Sequence, residues 1–99
     1  MAFLRMAFFP GGTIEHWRVV AAAVGDVTIP GGRRAFASGP AADGWQVMQL
    51  WDSRDDLDRF NREVYLPAVA RLGDRGFPEP PVVTDVETVD AWIGETVLP

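Results

Sequence analysis

His16 is the only histidine in the chain, and it stands in the stretch GGTIEHW, residues 11 to 17, just after a helix start. Histidine is the one side chain whose ordinary pKa lies near neutrality, which makes His16 the natural general base, although its place off the centre of the apolar stripe equally suits a rim, surface or structurally satisfied histidine. A second polar pair, Asn61 and Tyr65, is four residues apart in the stretch FNREVY. By helical spacing Tyr65 falls at the margin of the stripe that holds Asn61, which suits either pocket lining or ordinary helix packing. Asn61 falls within an apolar stripe, and a buried amide needs hydrogen-bond partners that a ligand would supply. Arg5 interrupts an apolar strand and needs a carboxylate, backbone carbonyls or an anionic ligand, with Asp85 and Glu87 as the nearest candidates in pattern. Trp45, Gln49 and Trp51 share one row of a strand, and Trp17 lies on the first helical stripe. Such aromatics suit either a slot for a planar molecule or ordinary packing. The candidate catalytic residues are therefore His16, Asn61 and Tyr65. The candidate substrate contacts are Arg5, Trp17, Trp45, Gln49 and Trp51.

Composition removes several other chemistries. With no cysteine and one histidine, thiol catalysis, disulfides and the familiar clustered metal sites are not expected, and no HExxH occurs. The two PGG turns, at 10–12 and 30–32, match no dinucleotide or phosphate loop, and no GxSxG elbow is present. No metal, haem, flavin or nicotinamide is expected. All nine basic residues are arginine, set against fourteen acidic ones, for a formal charge of −5. Phosphate-backbone and anionic-membrane binding both call for a basic face, so neither nucleic acid nor membrane is an expected partner. No apolar run approaches the ~20 residues of a membrane span. The apolar start MAFLRMAFFPGG reads as a first strand and turn in place of a signal peptide, and a cytoplasmic location is expected.

These residues must be positioned by a single domain over 1–99, the size at which one core forms. The segment AFLRMAFF is largely apolar in both alternating rows, as in a strand covered on two sides. Thr13 is a helix cap, Ile14, Trp17, Val20, Ala21 and Val24 recur at helical spacing, and Gly25 ends the element. Residues 25–32 read as a loop, RRAFASG as a second strand, SGPAADG as a turn and WQVMQLW as a third strand. Ser53 caps a helix running to about Leu72 that buries Leu57, Phe60, Val64, Ala68 and Leu72, with Pro67 bending it. VVTDVETV is the last strand and residues 90–99 a tail. The order βαββαβ predicts an α+β, ferredoxin-like sandwich with both helices on one face of an antiparallel sheet. The other sheet face is apolar too, so a second subunit is expected to cover it.

The stretches FPGGTIEHW, GWQVMQLWDSRDDLDRF and LPAV resemble the dimeric α+β barrel superfamily of antibiotic-biosynthesis monooxygenase-like proteins. Within it they resemble small actinobacterial proteins with no assigned function. The resemblance implies a homodimer paired sheet to sheet, with a ligand cavity between each subunit's sheet and helices. It also implies a cofactor-independent enzyme, with a monooxygenase-like activity on an aromatic or polyketide-like molecule. A polyketide cyclase or isomerase of the same fold and a non-catalytic small-molecule-binding dimer are the alternatives. Haem degraders of this superfamily take their iron ligand from the second helix, which here has no histidine.

Overall fold

A computed structural model describes residues 1–25 and 31–98. Strand β1 (Phe3–Pro10) leads through Gly11 and Gly12 to helix α1 (Ile14–Val24). The expected loop at 25–32 lies mostly outside the described residues. Strands β2 (Arg33–Ala41) and β3 (Gly44–Trp51) form a hairpin, followed by helices α2 (Arg54–Phe60) and α3 (Leu66–Leu72) and strand β4 (Val82–Glu87). The four strands form one antiparallel sheet in the order β2-β3-β1-β4. Inserting β3 between β1 and β2 makes the split βαβ unit of a ferredoxin-like fold.

Several local expectations are corrected. The expected turn at 38–44 shrinks to Ala42 and Asp43, because β2 continues through Gly39 and Pro40 to Ala41. That is tolerable because β2 is an edge strand, where a missing N–H need not break a ladder. The expected last strand stops at Glu87, and the tail forms a short hairpin of β5 (Trp92–Ile93) and β6 (Thr96–Val97). Ile14 is exposed despite its place in the apolar pattern, since it opens the first turn of α1 beyond the sheet's reach.

Register decides which rows meet the helices. Phe3, Arg5, Ala7 and Phe9 stand opposite Trp51, Gln49, Val47 and Trp45. Phe3 and Trp51 pack with Leu57 and Phe60 into one buried cluster, while Ala7, Phe9, Trp45 and Val47 form a second with Trp17 and Phe77 against it. Burying a large apolar side chain in this way contributes about 1.5–3 kcal/mol. The opposite row, including Leu4, Met6, Phe8, Leu50 and the exposed Met48, Val82 and Val86, carries no helix.

Between Phe60 and Leu66 the long helix widens into a π turn, Asn61–Tyr65. The Leu66 N–H donates to the Asn61 carbonyl, five residues back. Pro67 supplies the reason. It has no N–H to donate, and in an α turn its ring collides with the carbonyl four residues earlier. The wider turn relieves that clash, so the bend expected at Pro67 takes the form of a π turn just before it.

Candidate functional site

A cavity of about 350 Å³ lies between the sheet and the helices, lined by members of both buried clusters. That is near the lower end of roughly 300–1,000 Å³ for small-molecule sites. Its walls are aromatic. Trp17 stacks on Phe36 at 5.5 Å between ring centroids, and Phe9 on Phe77 at 4.0 Å. Its polar lining consists of the side chains of Arg5, Arg33, Gln49, Asn61 and Tyr65.

Asn61 and Tyr65 come from the two ends of the π turn and both line the cavity. Neither side chain makes a hydrogen bond to another of the described residues. Burial raises the Tyr65 pKa above the ordinary tyrosine value, so its phenol stays protonated and able to donate. Gln49 is oriented by Trp51, whose indole N–H donates to the Gln49 carbonyl oxygen at 3.1 Å. An indole only donates, so this bond leaves the Gln49 amide N–H₂ group to face the cavity.

Arg5 also lines the cavity, and its charge is neutralised there. Its Nε and one terminal nitrogen donate to the two Asp85 oxygens at 2.8 and 2.9 Å. Their hydrogen bonds raise the Arg5 pKa and hold the Asp85 carboxyl below its ordinary range. This is the structural pairing anticipated for Arg5, made with Asp85.

His16 is not among the lining residues. The Thr13 N–H donates to His16 Nδ1 at 3.0 Å, and the His16 N–H donates to the Thr13 hydroxyl at 3.3 Å. This is a capping box in which an imidazole occupies the position usually held by Glu or Gln. With Nδ1 accepting, the ring's own N–H is on Nε2. The ring lies 6.0 Å from that of Phe77, itself a cavity wall. Of the four expected tryptophan and glutamine contacts, Trp17 and Gln49 line the cavity, whereas Trp45 and Trp51 pack behind it. The Trp45 indole N–H is buried with no partner.

Arg33 and Phe36 are lining residues that the sequence reading did not single out. The available signal was the Arg33-Arg34 pair at a strand start. Strict alternation puts Arg34, with Phe36, on the helix side and turns Arg33 away. A bulge between Arg33 and Ala35 inverts this, setting Arg33 opposite Trp51. Arg34 instead pairs with Asp52 at 2.6 Å. Gly32 is required beside the bulge: its φ is +116°, and a Cβ there would lie 2.7 Å from the Asp56 carboxyl.

Among the described residues no group of three or more His, Asp or Glu is placed to hold a metal ion. No described helix is long and apolar enough to cross a membrane.

This architecture and cavity place the chain in a recognised fold class, and comparison with solved structures agrees. The structure is similar to that of Rv0793 from Mycobacterium tuberculosis, with a TM-score of 0.69 and 18% identity over 92% of this chain and 98% of that one. It is also similar to a monooxygenase, ActVA-Orf6 of Streptomyces coelicolor, solved with nanaomycin D (TM-score 0.61, 20% identity, 95% and 93% covered). A third likeness is to SnoaB, a cofactor-independent oxygenase of Streptomyces nogalater (TM-score 0.57, 14% identity, 95% and 96% covered). The chain has the ferredoxin-like fold shared by antibiotic-biosynthesis monooxygenase-like proteins. No protein-family model and no curated protein sequence matches it.

Proposed function

We propose that the protein is a cofactor-independent, monooxygenase-like enzyme for an aromatic or polyketide-like small molecule. One observation carries this reading: an aromatic-walled cavity into which Asn61 and Tyr65 bring uncommitted hydrogen-bonding groups. An electron-rich phenolate or enolate held there places its oxygen against the Tyr65 O–H and the Asn61 amide, which stabilise the charge as the substrate loses a proton. The proton passes to water, and the carbanion then adds oxygen to form a hydroperoxide, which loses water. One oxygen atom stays in the product as a carbonyl, the other leaves as water, and the substrate carbon is the only reductant. The solved oxygenases of this fold supply the precedent.

Among the described residues the lining contains no carboxylate and no imidazole. An isomerase or cyclase must take a proton from one atom and return it to another, so it leans on a positioned base. Oxygenation of a substrate that is already acidic asks less of the protein. The same absence is the specific support for a second reading, a binding protein without turnover. His16, the candidate base, is hydrogen-bonded to Thr13 and does not line the cavity.

Oxygen uptake with phenolic polyketide-like compounds, followed together with product mass, tests the proposal. Uptake matched by an oxygenated product is expected. An isomerised product without uptake points to the isomerase, and saturable binding with no product to the binding protein.

We propose further that two copies pair through the helix-free sheet face, whose Met48, Val82 and Val86 are exposed in one chain. Light scattering at micromolar concentration is expected to give twice the 10.9 kDa chain mass. A stable monomer overturns this pairing.

A further inference from the structure

We propose that Arg33 anchors a carboxylate on the aromatic ligand of this cavity, an inference that rests on reading the cavity as an aromatic-ligand site. Among the described residues the cavity is lined by two arginines and by no acidic residue, in a chain whose net charge is −5. Arg5 is matched by Asp85. Arg33 makes no ion pair or side-chain hydrogen bond among the described residues. The carboxylates nearest its strand start are already engaged, Asp52 by Arg34 and Asp56 by Ser53 and Arg59.

What holds the Arg33 guanidinium is aromatic. It lies 4.9 Å from the ring centroid of Phe36 and 5.9 Å from that of Phe60. Such contacts fix the guanidinium but consume none of its N–H groups. Burial without a compensating anion lowers the Arg33 pKa from the ordinary arginine value. A half-buried cation with its donors unspent is what a ligand anion satisfies, and the planar fork of arginine matches a carboxylate through two parallel bonds. The placement is specific as well. Only the bulge, backed by the glycine at 32, turns this side chain to the helix side of the sheet. Phe60 precedes Asn61, so the anchored end of a ligand lies beside the π turn, and its planar body can extend along Phe36 and Trp17.

Calorimetric titration of the wild-type protein with 2-naphthoate and with 2-naphthamide, at neutral pH and low salt, tests this. The two compounds differ in charge and hardly in shape. The carboxylate is expected to bind about tenfold more tightly or better, as a charge-assisted bidentate pair supports. Arg33→Gln is expected to bring that ratio close to one. Equal wild-type affinities overturn the role of Arg33 and leave the cavity reading standing, even where the variant does not fold. Retention of the preference in a folded Arg33→Gln protein overturns it too. Failure of both compounds to bind at millimolar concentration overturns the cavity reading, and this inference with it.

Discussion

The two helical regions bordering the cavity use their polar side chains in opposite ways. At the start of α1, His16 donates its backbone N–H to the Thr13 hydroxyl and accepts the Thr13 N–H at its ring Nδ1. In the π turn after α2, Asn61 and Tyr65 face the cavity with their side-chain groups uncommitted. The imidazole is engaged in a helix cap, and an amide and a phenol stand at the cavity wall without a hydrogen-bond partner among the described residues. The arginines repeat the contrast. Arg5 is bound to Asp85, and Arg33 rests only on aromatic rings. Chemical type alone therefore does not say which side chains keep hydrogen-bonding capacity at the cavity wall, and the proposed site rests on that capacity.

The strongest way to break this comparison is to remove the uncommitted groups. Asn61→Ala combined with Tyr65→Phe is expected to lower turnover by about 10²–10⁴, the usual range for losing positioned polar catalysis. Melting temperature should change little, because neither side chain has a hydrogen-bond partner among the described residues to lose. Unchanged turnover would place the chemistry elsewhere in the cavity. Pro67→Ala probes the turn itself. Restoring an N–H lets an α-helical bond form, and stability is expected to rise by roughly 1–3 kcal/mol, given the cost of proline inside a helix. Ligand affinity is expected to fall as the turn narrows and re-aims Asn61 and Tyr65. A stabilised variant with full affinity shows that the π turn does not position them.

His16→Ala should behave in the reverse manner. Loss of the capping box is expected to cost about 1 kcal/mol, seen as a fall of roughly 4–8 °C in melting temperature. Affinity and turnover should remain as in the wild type. A loss of turnover without a loss of stability would return His16 to the mechanism. The smallest effect concerns acid. The Arg5 hydrogen bonds hold the Asp85 carboxyl below the ordinary value of about 3.9. The pair's contribution is complete above that value and is lost as pH falls through the depressed folded one. Asp85→Asn is expected to flatten that acid limb, with less than about 1 kcal/mol at neutral pH for a partly exposed pair. Chemical denaturation at a series of acidic pH values reads the difference.

What was legible from the sequence was local or periodic. Two apolar rows in β1, side-chain caps at Thr13 and Ser53, and a helix end at Gly25 are each encoded within a few residues, and together they yield the βαββαβ order. The helical spacing of Leu57, Phe60, Ala68 and Leu72 identified the buried stripe and set Asn61 within it and Tyr65 at its margin. The sequence also offered Asp85 as a partner for Arg5, because a charge on an apolar strand needs one.

Only the tertiary structure decided which face of β3 meets the helices, since a period of two presents both rows equally until cross-strand register selects one. Register likewise placed Arg33. One extra residue in β2 reverses the parity of every side chain before it, and nothing in the letters RRAF distinguishes a bulged pair from a regular one. The cavity belongs to the same category. It is the space left where Trp45 and Trp51 fill the core behind its walls, so their aromatic character was visible and their distance from a ligand was not. His16 turned to its cap because Thr13 lies three residues away with an unsatisfied N–H, a competition settled only when the helix start takes its final shape.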